Sequence, residues 1–160
     1  MGFQKLSLKG RALRLLAQRE HSRSELEAKL ARHVQEGEDL AAILDELQAK
    51  DFINPARVAE SVVHLRAPRL GTQRVLQELR RKGLDEDLVR DAARQLAASE
   101  HERALAVWRQ RFGTAPSATT AQERARQMRF LAARGFASDA VRRVMRSAAA
   151  GEDGEAGGWE

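Results

Sequence analysis

Cysteine is missing from all 160 residues, so disulfides, thiolate zinc sites and cysteine nucleophiles are excluded together, as suits a reducing compartment. Tyrosine is missing too, and aromatics make up only 4% of the chain, which argues against strand-built architectures. No stretch approaches the roughly 18 uninterrupted apolar residues of a membrane span. The opening Met1 to Leu6 has no apolar signal core and lacks the Ser or Thr of an acylation motif. A leaderless, soluble cytoplasmic protein is expected. What is abundant is charge, at 32%, beside 42% hydrophobic residues, the balance of an all-α protein able to bury a core.

The charge is unevenly spread. Basic and acidic residues number nine and nine over 1–56, nine and six over 57–98, ten and four over 99–149, and none and four over 150–160. The net values of 0, +3, +6 and −4 add to the overall +5, so a modest total conceals a basic middle and rear with a short acidic tail. A polyanionic or acidic partner fits that bias, although arginines on helix surfaces also serve solubility alone. The tail, Gly151 to Glu160, combines four acids with four glycines and one Trp159, and is expected to be disordered.

Caps and apolar spacing divide the rest into about nine helices. Ser22 with Glu25, Ser99 with Glu102 and Thr120 with Glu123 each read as a capping box. Asn54-Pro55 supplies a cap and a first-turn proline. Gly10 weakens the first helix, Pro68 and Gly71 interrupt the middle, and Gly113 to Ser117 reads as a loop. A repeat lies beneath this pattern. Laying Val75–Val89 over the segment that ends at Val141 aligns Gly83 with Gly135, Leu84 with Phe136 and Asp87 with Asp139, at an offset of 52 residues. The segment from Leu26 to Leu44 looks like a degenerate copy whose glycine turn is replaced by His33–Asp39. The expected architecture is three tandem three-helix repeats, residues 1–54, 55–98 and 99–149, in an elongated, curved arrangement followed by the tail at 150–160. The competing fold is a compact bundle with one core.

Catalytic chemistry is not found. His21, His33, His64 and His101 fall on different helices with no HxxxH pair, which leaves no metal motif, and His21 reads as a partly exposed helix-end residue. Asp51, Asp85, Asp87 and Asp139 occupy turns or first helical turns, where the helix dipole accounts for a carboxylate. No nucleophile elbow and no phosphate-gripping glycine loop occurs. Phe52, Phe112, Phe130, Phe136 and Trp108 fall largely at expected core positions, so base stacking is not the expected source of affinity. A non-enzymatic binder without cofactor is the reading.

Three blocks then resemble one family. Leu16-x-x-Arg19-x-His21-Ser22-x-x-Glu25-Leu26-x-x-Lys29-Leu30 is similar to the first-repeat signature of RecX, the bacterial modulator of the RecA recombinase. The segment Arg66-x-x-Arg69-x-Gly71-x-x-Arg74-Val75 through Lys82-Gly83-Leu84 resembles that family's central segment, and Arg129-Phe130-Leu131-x-x-Arg134-Gly135-Phe136 its third. Together the blocks span residues 8–147. The resemblance implies a monomeric regulator that lies in the groove of the RecA filament on single-stranded DNA and lowers its ATPase, strand-exchange and coprotease activities, thereby restraining the SOS response and DNA repair. It carries partner contacts over to Arg66, Arg69, Arg74, Lys82, Arg129 and Arg134, beside which Arg81 stands as a further basic candidate of the same helix, and the backbone electrostatics of the basic segments add weak, salt-sensitive direct DNA binding. Two departures stand out: the helix around Val58–Leu65 lacks the family's aromatics, and tyrosine is absent. A direct DNA-binding architectural protein or repressor is the alternative from another class, and a plain helical scaffold a third.

Overall fold

Helices begin where a side chain can take up their first unpaired amides. The computed structural model describes residues 5–113 and 120–153, with side chains as far as residue 150. Ser7 Oγ accepts from Gly10 N at 3.0 Å to open α1 (Leu8–Gln18). Ser22 and Glu25 form a complete, reciprocal capping box for α2 (Arg23–Leu30), which continues into a 3-10 turn at Ala31–His33. Asp39 caps α3 (Leu40–Ala49), and Asn54 caps α4 (Pro55–Arg66) with Pro55 in its first turn. Beyond them lie α5 (Thr72–Arg81), α6 (Glu86–Phe112), α7 (Ala121–Ala133) under the Thr120/Glu123 box, and α8 (Ser138–Asp153). Among the described residues there are eight α-helices and no strand.

The capping signature at Ser99 does not start a helix. From Asp85 to Gly113 no residue breaks the helix, and Ser99 Oγ bonds back to Leu96 O at 3.4 Å while accepting from Arg103 Nε at 3.0 Å. A continuous α6 of 27 residues, about 40 Å long, results. The expected boundary at 98/99 therefore falls inside a helix.

Apolar side chains gather into three separate cores. Leu8, Leu26, Leu30, Leu44, Leu47 and Ile53 close the first beneath α1–α3. Val58, Val62, Val75, Leu79, Val89 and Leu96 close the second beneath α4, α5 and the front of α6. Ala104, Val107, Leu131, Phe136, Val141 and Val144 close the third beneath the rear of α6, α7 and α8. Burial passes from one core to the next between Leu96 and Ala104, within a single helix. Three cores in series, rather than one shared core, make a chain of units.

Several side chains depart from the sequence reading. His21 is buried at 1% exposure, not half-exposed, because its ring bridges a carbonyl and a lysine beneath the first unit. Phe52 is 48% exposed because Ile53, one residue on, takes the core position after the tight turn at Asp51. The apolar spacing Leu6, Leu8, Leu13, Leu15 and Leu16 predicts a first helix from Leu6, but Leu6 lies outside α1 and is 45% exposed. The tail expected to be disordered from residue 150 starts as helix, since α8 runs through Asp153. Residues 154–160, with Trp159, and the loop residues 114–119 lie outside the described residues.

Candidate functional site

Two of the predicted contact arginines meet where the second and third units join. Gly83 and Gly135 adopt φ of +74° and +92°, and after each the next amide bonds back to the carbonyl five residues earlier, Leu84 N to Leu79 O and Phe136 N to Leu131 O. The aligned glycines thus end α5 and α7 in the same turn. Against the second of these turns, Gly71 N donates to Arg134 O at 2.8 Å and Gln73 N to Gly135 O at 3.3 Å. The backbones touch so closely that a Cβ on Gly71 would lie 2.2 Å from Gly135 C. Arg74 lays its aliphatic stem over Gly135 and donates Nη1 to Ala133 O at 3.0 Å.

Beneath that seam, Glu100 Oε1 accepts from Thr72 N and Ala137 N, at 3.4 and 3.2 Å, serving the starts of α5 and α8 at once. Arg103 donates to Ala67 O, Leu70 O, Leu96 O and Thr72 Oγ1 at 2.6–3.1 Å, and its guanidinium lies 6.0 Å from the Phe136 ring centroid. Burial lowers its pKa from the ordinary arginine value, with Glu100 pulling the other way. This hub is absent from the sequence reading. Its signal was a position: Arg103 falls on the stripe of Ala92, Leu96, Ser99 and Val107, where a side chain faces inward.

The seam between the first and second units is polar. Lys82 Nζ donates to Glu25 Oε1 at 2.9 Å with both side chains under 20% exposed, and Arg57 pairs with Glu20 at 2.9 Å. Burial works against the Glu25 charge, but hydrogen bonds from Arg19, Lys82 and Ser22 N outweigh it and hold the carboxyl at about 2. Nearby, His21 Nδ1 lies 3.0 Å from Arg19 O and Nε2 lies 3.1 Å from Lys29 Nζ. The arrangement suits a ring that donates at Nδ1 and accepts at Nε2. Burial lowers the His21 pKa, the Arg19 carbonyl offsetting part of the effect.

The seven predicted contact residues therefore divide. Arg74 and Lys82 tie units together. Arg66 pairs with Glu78 at 3.0 Å, and the Arg134 guanidinium lies 5.0 Å from the Phe130 ring centroid. Arg69, Arg81 and Arg129 are exposed and have no side-chain hydrogen bond or ion pair among the described residues. Arg69, Arg74 and Arg134 collect around the Gly71–Gly135 joint. Arg81 and Lys82 sit about two turns further along α5, toward the first unit, and Arg129 lies more than a turn before Arg134 on α7.

Among the described residues, no three His, Cys, Asp or Glu side chains group as a metal site, and no helix is long and apolar enough to cross a membrane. Such an arrangement offers charge and shape to a partner.

Comparison with known proteins matches this architecture. Models of the first, second and third three-helix domains of RecX match residues 9–47, 56–92 and 98–145. The regulatory protein RecX of Leptothrix cholodnii is 53% identical over 143 residues, covering 89% of this chain and 90% of its own. That of Herminiimonas arsenicoxydans is 48% identical, covering 96% of this chain and 100% of its own. Among solved structures, RecX from Lactobacillus salivarius superposes with a TM-score of 0.70 at 21% identity, over 88% of this chain and 94% of that one, a likeness of fold. These relatives are named as regulatory proteins, not enzymes.

Proposed function

The chain belongs to the RecX family, and from that premise we propose that it binds, as a cytoplasmic monomer, along the groove of the RecA filament on single-stranded DNA. There it lowers ATP hydrolysis, strand exchange and coprotease activity. The observation that carries this reading is the serial arrangement of three cores, with Arg69, Arg81 and Arg129 exposed along the second and third units and without a side-chain partner among the described residues. A chain of units reaches several adjacent subunits of a helical polymer, and weak contacts then multiply through effective concentration rather than through one strong anchor. Arg74 and Lys82 have a double part in this proposal: they tie neighbouring units together and border the contact face. Arg66 and Arg134, held by Glu78 and by the Phe130 ring within their own units, border it as well.

The test is RecA ATPase on single-stranded DNA with the wild-type protein and with R69E/R81E/R129E. These three side chains have no hydrogen bond or ion pair among the described residues, so thermal unfolding of the variant stays unchanged while inhibition weakens at least tenfold. Inhibition by the variant equal to wild type overturns the contact face. A wild-type protein without effect on the ATPase, yet binding bare DNA tightly, would favour the architectural or repressor reading.

A further inference from the structure

The first unit has no net charge, with nine cations against nine acids over residues 1–56, yet the structure separates the two signs. Four of its cations are neutralised: Lys9 and Lys50 by Glu46, Arg19 by Glu25, and Arg23 by Asp45 and Glu27. Asp39 is spent on the α3 cap, and Glu20 and Asp51 reach Arg57 of the second unit. The remaining cations converge elsewhere. Arg11, Arg14, Lys29 and Arg32, with the uncharged His33 ring, line a recess of about 660 Å³ between α1 and the end of α2. A second recess of about 200 Å³ shares Arg11, Arg32 and His33 with it and adds Lys5.

Two recesses with common walls make one trough. Among the described residues the only carboxylate lining it is Glu38, whose Oε1 accepts from Gln35 N at 2.8 Å. Arg11, Arg14 and Lys5 have no ion-pair partner among the described residues, Arg32 Nε meets only the His33 ring, and Lys29 meets only His21. Burial and then the charges of Arg11, Arg32 and Lys5 depress the His33 pKa, a sign that the local field is positive. The exposed Leu6 lines both recesses, so the trough is partly floored by apolar surface.

We propose that this trough binds the phosphodiester backbone of single-stranded nucleic acid directly, without the recombinase. Three guanidinium forks suit bidentate phosphate contacts. The two connected recesses accommodate consecutive phosphates. Their concavity admits a flexible single strand, whereas a duplex would meet only the rim. No Phe, Tyr or Trp lines the trough among the described residues, so binding depends on charge and not on base identity. The inference goes beyond the filament reading and uses other residues, so either can fail alone.

The experiment is fluorescence polarisation of a labelled oligothymidylate with the full chain, without RecA. Three to four phosphates neutralised by the trough give a slope of log affinity against log salt of about −2 to −3, or a roughly 20- to 50-fold loss between 50 and 200 mM salt. R14Q/R32Q, both at exposed positions, should bind at least tenfold more weakly and lower the slope magnitude by about 1.4, with unchanged thermal unfolding. Unchanged affinity and slope in that variant overturn the site. So does loss of binding in R69E/R81E/R129E with none in R14Q/R32Q. A polyglutamate peptide competing as well as the oligonucleotide would assign the trough to an acidic protein segment and overturn the phosphate reading. The recombinase ATPase result bears on none of these outcomes.

Discussion

Replacing Gly71 by alanine isolates the joint between the second and third units. Its backbone, at φ −72° and ψ 163°, is one that alanine adopts freely. Judged by the chain alone, the substitution should stabilise by about 0.4–1 kcal/mol, because alanine restricts the unfolded state. The joint reverses that sign. An added Cβ would lie 2.2 Å from both Gly135 C and Phe136 N, where ordinary contact begins at 3.4 Å, and the obstacle is backbone rather than a movable side chain. The units must separate by about 1.2 Å, the difference of those distances. That movement breaks the bonds from Gly71 N to Arg134 O, Gln73 N to Gly135 O and Arg74 Nη1 to Ala133 O.

At about 1 kcal/mol for each bond, the loss is about 3 kcal/mol, or about 6–12 °C in Tm for a chain of this size. Gly37→Ala serves as the control. Gly37 has φ +84° but open space around it, so alanine there incurs only the left-handed strain, about 1 kcal/mol and 2–4 °C. Thermal unfolding followed by far-ultraviolet circular dichroism measures both. Gly71→Ala as stable as wild type, or no worse than Gly37→Ala, would refute the close approach of the two backbones.

Arg103→Met removes five donated bonds and leaves the carbonyls of Ala67, Leu70 and Leu96 without this partner, which should cost about 2–4 kcal/mol in urea unfolding. Arg103→Lys should not restore it, since one ammonium cannot span five acceptors. Stability should also fall with acid in two stages. His21, whose folded pKa lies below 6.5, keeps its full contribution above that value and loses it as the unfolded chain takes up a proton first. Glu25, held at about 2 against 4.5, loses its contribution between those two values. Urea midpoints stepped through pH should show both, and His21→Gln should shrink the upper stage, leaving the share of the exposed His33, without moving the lower one. Small-angle scattering should return a radius of gyration clearly above the about 15 Å of a compact 160-residue globule, and a value at that figure would contradict the serial cores.

The signals legible in sequence were those carried by local chemistry. The boxes at Ser22 and Thr120, the Asn54-Pro55 start and the paired glycines at 83 and 135 each act within a few residues, and the structure repeats them. Ser99 failed because a capping box only offers to begin a helix, and nothing nearby ended the preceding one. His21 was misplaced because its burial depends on Lys29 and the packing of the first unit, which spacing does not reveal. Lys82 was recognised as a charged position, but that its partner is Glu25, 57 residues away, is a tertiary fact. The trough stayed hidden for another reason. A sum of charges is blind to their separation in space, and a unit with zero net charge gave no cause to look.

Because α6 runs unbroken through two cores while the first unit is fastened mainly by the Glu25–Lys82 and Glu20–Arg57 pairs, the molecule is mechanically unequal along its length. Its rear two-thirds form a stiff beam that should resist hydrogen exchange and melt as one cooperative block. The front third, joined through those ion pairs, should loosen with rising salt before the rear does.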